Sequence, residues 1–126
     1  MLALDTNVLV RLLARDDAQQ AAAADAAVAK GAWVSQLVLA EAVWVLDAVY
    51  GRTPKQLIAA LDLLLAHENL VLQDVDAVAA ALAQLRAKPA LGFSDCLVLE
   101  IARKAGHLPL ATFDKALGRL PGTHRL

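Results

Sequence analysis

Leu2-Ala3-Leu4-Asp5-Thr6-Asn7 decides how the rest of the chain is read: three apolar residues run into an acid and two small hydrogen-bonding residues. A short apolar run with polar bounds suits a buried strand, which places Asp5 at the strand's carboxyl end. Similar runs recur at Trp33-Val34, at Leu70-Val71-Leu72 and from Leu108 to Thr112, and the polar stretch from Thr123 to Leu126 is read as a last strand. Helical stretches separate them. Val8 to Leu13 reads as a short helix. Asp17 caps an Ala-rich helix from Ala18 to Lys30, stopped by Gly31. Ser35 caps a helix to about Tyr50, and Thr53-Pro54 starts another, to about His67, with Pro at the first position. Asp74 opens a helix to about Ala87, Lys88 to Phe93 is a loop, and Ser94 caps a helix to Ala105 that Gly106 ends. A short helix follows Asp114. Strands alternating with helices indicate an α/β fold, a central parallel sheet of four to five strands flanked by helices. Ligands in such sheets bind beyond the carboxyl ends of the strands, near a switch in strand order.

The 126 residues suit one domain, 1–126, with no repeat or linker. With 59% hydrophobic residues the chain can build a core without staples, and its one cysteine, Cys96, excludes an internal disulfide. Cys96 reads as a small buried hydrophobe. The apolar start meets Asp5 too early for a secretory signal. No apolar run is long enough to span a membrane, so a cytoplasmic protein is expected. The formal net charge of −1 gives no bulk attraction to nucleic acid, so any RNA contact must come from a local basic patch.

Four acids stand out. Asp5 follows the first strand and Asp114 follows the fourth. If the strand order switches between them, both face one crevice. Asp95 lies in the first turn of its helix, on a face continued by Val98, Leu99 and Ala102. Glu41 shares a helical stripe with Leu37, Trp44, Val45 and Ala48, where a carboxylate is costly unless satisfied. Each also has a plain reading: a turn or cap at Asp5 and Asp114, a helix-dipole partner at Asp95, a buried ion pair at Glu41. These readings do not predict convergence. Two carboxylates about 4 Å apart repel by roughly 4 kcal/mol at an effective dielectric of about 20, so a shared site demands protons or a cation. Oxygen donors without Cys or His suit Mg²⁺ or Mn²⁺. Thr6, Asn7, Ser94 and Thr112 stand beside the acids and can orient them.

Asp5-Thr6-Asn7 after an apolar strand resembles the opening of PIN domains. Ser35 through Glu41, with Leu37, Leu39 and Ala40 leading into the acid, is similar to their second motif. Ser94-Asp95 opening a helix looks like the third, and Thr112-Phe113-Asp114 after a strand looks like the fourth. Gln36 and Cys96 stand where smaller residues are expected. The four motifs in order resemble a PIN-like three-layer fold, and the small single-domain form resembles VapC-type toxins of toxin–antitoxin pairs. The resemblance implies a divalent-metal-dependent endoribonuclease with Asp5, Glu41, Asp95 and Asp114 as catalytic acids. Asp5, Asp95 and Asp114 would be the metal ligands, RNA the substrate and an antitoxin the partner.

Arg11 and Arg15, one helical turn apart, are candidate RNA contacts. Arg86 and Lys88 flank the loop before Asp95. His67, His107 and His124 lack paired spacing and read as capping or surface residues. Apolar excess on the helix from Pro54 (Leu57, Ile58, Leu61, Leu63, Leu64, Leu65) and at Trp44, Leu46 and Val49 suggests a homodimer. The competing reading is a phospho-acceptor receiver-like signalling domain using Asp74 or Asp76. It leaves Glu41 unexplained and needs a Lys after its last strand, which the chain lacks.

Overall fold

Hydrogen bonding between short apolar runs organises the computed structural model, which describes residues 1–126. Contacts divide the chain into two compact units, Met1–Val75 and Asp76–Leu126. The first holds β1 (Leu2–Ala3), α1 (Thr6–Ala14), α2 (Ala18–Ala29), β2 (Ala32–Val34), α3 (Gln36–Ala48), α4 (Pro54–Ala66) and β3 (Leu70–Leu72). The second holds nearly all of α5 (Val75–Ala87), a one-turn helix at Pro89–Leu91, α6 (Phe93–Ala105), β4 (Leu110–Thr112), a one-turn helix at Leu117–Arg119 and β5 (Thr123–Arg125). None of the helices is long and apolar enough to cross a membrane.

In the first unit the strands run parallel in the order β1-β2-β3, with Leu2 opposite Ala32 and Val34 opposite Leu72. Period-two burial follows: Ala32, Val34, Leu70 and Leu72 are buried, whereas Trp33 is half-buried and Val71 exposed. Leu4 continues the ladder by donating its N–H to Trp33 O at 2.9 Å, so Asp5 leaves at the carboxyl end, as expected. In the second unit β4 and β5 pair parallel, with Thr112 opposite Arg125.

The α/β class and the parallel strands agree with expectation, but the single sheet of four to five strands does not. The five strands form a three-stranded and a two-stranded sheet, and the expected switch in strand order between the first and fourth strands is not seen within either. Strands of two or three residues carry few backbone bonds each, and β4 pairs with β5 alone, its ladder extended by Leu110 N–H to Gly122 O and Leu126 N–H to Thr112 O.

Helix ends also shift. α1 starts at Thr6 rather than Val8, because Asp5 adopts extended backbone and accepts the Thr6 N–H at 2.8 Å. α6 starts at Phe93, so Ser94 lies inside the first turn and makes no cap. Asp74 has φ 49 and stands before α5 in left-handed backbone. Ser35 caps α3 through Val38 N–H and Thr53 caps α4 with Pro54 at its start, both as expected; Gln56 adds the reciprocal bond of a capping box.

Leu9 is fully buried one turn after Asp5 and anchors α1 in the core. Removing its branched end leaves a cavity that rigid neighbours fill only in part. Leu9→Ala is expected to lower stability by about 2–5 kcal/mol, measured by chemical denaturation.

Candidate active site

The acids of the first unit are held by one residue. Thr6 presents its backbone N–H to Asp5 Oδ1 at 2.8 Å and its hydroxyl to Glu41 Oε2 at 2.8 Å. The turn that ends β1 therefore brings Asp5 and Glu41 to the same threonine, 35 residues apart in sequence for the second bond. Glu41 is exposed, contrary to the buried stripe expected for it. The core face of α3 is Leu39, Ala42, Val43 and Leu46. Leu37, Trp44 and Ala48 accompany Glu41 on the solvent side. α3 is apolar all round, so its sequence period alone did not choose between the faces. Asn7 is exposed in the first turn of α1.

Gln36 ties this turn region to the end of β3: its N–H donates to Gln73 Oε1 and its Nε2 to Asp74 Oδ2, both at 3.0 Å. The larger residue at position 36 is thereby accounted for.

In the second unit Asp95 and Asp114 are electrostatic neighbours. Burial, and then the charge of Asp114, push the Asp95 carboxyl above its ordinary range. Asp114 Oδ1 accepts the Leu117 N–H at 2.7 Å, and its own N–H donates to Thr112 Oγ1 at 3.0 Å. Its capping reading is thus correct, and leaves Oδ2 uncommitted. Asp95 does not face along Val98, which is exposed; the buried stripe of α6 is centred on Cys96, with Phe93, Leu97, Leu99 and Glu100. Ser94 is exposed, with neither cap nor buried contact. Cys96 is fully buried, and burial pushes its thiol up to about 11, as befits a packing residue.

No Arg or Lys side chain is paired with Asp5, Glu41, Asp95 or Asp114. Elsewhere the chain does pair acids with bases: Asp16 with Arg11, Asp25 with Arg15, Asp76 with Lys104 and Glu100 with Arg103. Arg11 and Arg15, the candidate RNA contacts, are thus both engaged. Arg11 also donates to Tyr50 Oη, and the Tyr50 hydroxyl donates to Asp16 at 2.8 Å. That hydroxyl, then Arg11, holds the Asp16 carboxyl below its usual range. Glu100 escaped the sequence reading. It is 7% exposed and accepts from Gln84 Nε2 and Arg103 Nε, while Arg103 Nη2 donates to Pro121 O. The Glu100–Arg103 spacing of one helical turn was its only signal.

Asp5, Glu41 and Asp114 share a pattern: one carboxylate oxygen is fixed by a neutral donor and the other is left over. Such half-anchored carboxylates suit a hard cation. Within either unit by itself there is no group of three His, Cys, Asp or Glu side chains placed to hold a metal. Mg²⁺ is commonly held by one or two carboxylates and keeps several waters, so the donor set fits it chemically. A family model, that of the PIN domain, matches residues 2–122. No curated protein and no solved structure matches the chain.

Because the folded pKa of Asp95 is raised, the folded state is penalised as pH climbs from the ordinary carboxylate value through the raised one. With chelator present, Asp95→Asn is expected to melt above the parent at about pH 7, the gap closing by about pH 3. Thermal melts at both pH values check it, and an Asn variant that melts lower at neutral pH rejects the account in which burial and the Asp114 charge penalise the ionised Asp95.

Proposed function

Since this chain belongs to the PIN domain family, whose members are generally metal-dependent nucleases, we propose that it is a divalent-metal-dependent endoribonuclease. We propose further that residues 1–126 work as one such domain, the cytoplasmic toxin of a toxin–antitoxin pair. The observation that supports the nuclease reading best is the treatment of its acids: Asp5, Glu41 and Asp114 are each steadied by a neutral donor, and Asp95 lies against Asp114's charge, with no base supplied to any of them.

In this reading Asp5, Asp95 and Asp114 hold Mg²⁺ or Mn²⁺, and Glu41 completes the catalytic acids. The cation, when bound, stabilises charge on the phosphate and makes water acidic enough to ionise near neutral pH. The chain's own residues do the rest. Thr6 fixes the rotamer of Glu41 and, through its N–H, the plane of Asp5. Thr112 and the Leu117 N–H fix Asp114 from both sides. Carboxylates fixed in this way need no reorganisation as the phosphodiester is hydrolysed. Asn7 and Ser94, both exposed beside acids, are left to orient water. A role for Arg11 and Arg15 on RNA requires their present ion pairs to open. The receiver-like alternative loses its support to the family assignment, and Asp74 is engaged by Gln36.

An antitoxin is the partner this reading implies. A guanidinium on the cation-free carboxylates would fork onto them and block the metal. Self-association is proposed from the solvent face of α3 and its surroundings. Of the apolar residues that suggested it, Leu46, Leu57, Leu61 and Leu64 are buried, while Trp44, Val49 and Leu63 are exposed, as is Leu37; large exposed apolar side chains of this kind suit an interface.

Two outcomes are expected. A mixed RNA pool is cut with Mg²⁺ or Mn²⁺ and left whole with EDTA. Asp5→Asn cuts at least about 100-fold more slowly, the scale on which loss of one transition-state-stabilising group is felt. Asn still caps α1, so the melt should stay within about 0.5 kcal/mol of the parent. Cleavage by a well-folded Asp5→Asn rejects the metal-nuclease reading. Separately, sedimentation at micromolar concentration should give the mass of two chains, and Trp44→Glu the mass of one; a parent that sediments as one chain rejects the dimer.

A further inference from the structure

The chain holds two phenylalanines, and they are treated oppositely. Phe93 is 3% exposed at the start of α6, whereas Phe113 is 80% exposed between Thr112 and Asp114. Single apolar residues on a surface are ordinary, so exposure alone says little. Three further features set Phe113 apart. Both of its neighbours are pinned: Thr112 O accepts the Leu126 N–H at 2.9 Å, Asp114 N–H donates to Thr112 Oγ1, and Asp114 Oδ1 accepts from Leu117. The ring is therefore presented from a fixed turn.

Charge is the second feature. From His107 to the end of the chain three cations, Lys115, Arg119 and Arg125, face a single acidic side chain, Asp114. All three are exposed and none is paired with an acid, unlike Arg11, Arg15, Arg103 and Lys104. Position is the third. Arg125 stands opposite Thr112 across the β4–β5 ladder, and Lys115 follows Asp114 directly. The Arg125 stem lies over Gly118, where a Cβ would come within 2.9 Å of Arg125 Cβ, so glycine there lets the arginine cross the one-turn helix.

An exposed aromatic ring on a segment that also carries exposed, unpaired cations is a combination that binds single-stranded nucleic acid, bases stacking on the ring while cations track the backbone. It also supplies the local basic patch that a chain of net charge −1 needs. We propose that Phe113 is a stacking platform for an unpaired base of single-stranded RNA beside the phosphate that Asp114 serves, with Lys115, Arg119 and Arg125 as its backbone contacts. The proposal rests on the nuclease reading for the identity of the ligand. It makes the substrate single-stranded: a base inside a duplex is already stacked and has no face to offer.

The test separates binding from cleavage. Fluorescence anisotropy in EDTA follows a labelled single-stranded oligoribonucleotide of mixed sequence and the same strand in a duplex. The parent should bind the single strand more tightly. Phe113→Leu should weaken that binding about tenfold and leave the duplex unchanged, and Phe113→Trp should restore it. Arg125→Gln should flatten the salt dependence by about one charge. With Mg²⁺ present, Phe113→Leu should lower kcat/KM mainly through KM. Thermal melts of the variants guard against loss of fold, and the Trp variant tests stacking even if the Leu variant is destabilised. A well-folded Phe113→Leu that binds the single strand as the parent does overturns the platform, whether or not the parent cuts RNA. Should Phe113→Leu change the sedimenting mass and not the RNA affinity, the ring is a chain–chain contact and the proposal fails. Phe113-dependent binding by a parent that never cuts RNA would support the platform while removing the nuclease reading.

Discussion

Three of the four motif acids, Asp5, Glu41 and Asp114, are held without being neutralised, and this constraint shapes the chain around each of them. A nearby Arg or Lys would satisfy an acid best and would also quench it. The chain uses neutral donors instead: one threonine for both Asp5 and Glu41, and a backbone N–H for Asp114. Because a neutral hydrogen bond is weaker than an ion pair, the rest of the local structure has to keep these donors in place. Leu9 in the core fixes α1, and with it Thr6; the β4–β5 ladder fixes Thr112 and the turn after it.

The cations follow from the same constraint. Arg11, Arg15, Arg103 and Lys104 are tied to Asp16, Asp25, Glu100 and Asp76, where they fasten helices and the Pro121 turn. Surface pairs of this kind contribute little to stability singly, yet they take positive charge out of reach of a polyanion. What is left unpaired beside Asp114 therefore matters more in this chain than its near-zero net charge suggests.

Much of the local structure was legible in the sequence. Ser35 and the Thr53-Pro54 cap, the stops at Gly31 and Gly106, and the strand ends at Leu4 and Thr112 all depend on interactions within a few residues. Where the reading failed, the deciding interactions were distant. α3 has apolar residues on every side, so only its packing partners put Leu39 and Leu46 inside and Glu41 outside. On α6 the expected face through Asp95, Val98, Leu99 and Ala102 is fully buried at Leu99 and exposed at Val98, and Glu100 disguised the buried stripe by supplying a charge that Gln84 and Arg103 satisfy. Asp114 and Asp5 showed the opposite case: their capping role and their motif role coincide, since each needs only one oxygen for the cap.

The sequence by itself determined the order of strands and helices, the acids that end two of the strands, and the family, because turn chemistry, hydrophobic runs and motif order are written in neighbouring residues. Tertiary structure alone decided which strands share a sheet, which face of each helix meets solvent, and which cations are already spoken for. Many of these depend on partners 10 to 39 residues away, as with Arg15 and Asp25 or Arg11 and Tyr50. A strand of three residues has too few ladder bonds, and a uniformly apolar helix too little contrast, to announce its partner in advance.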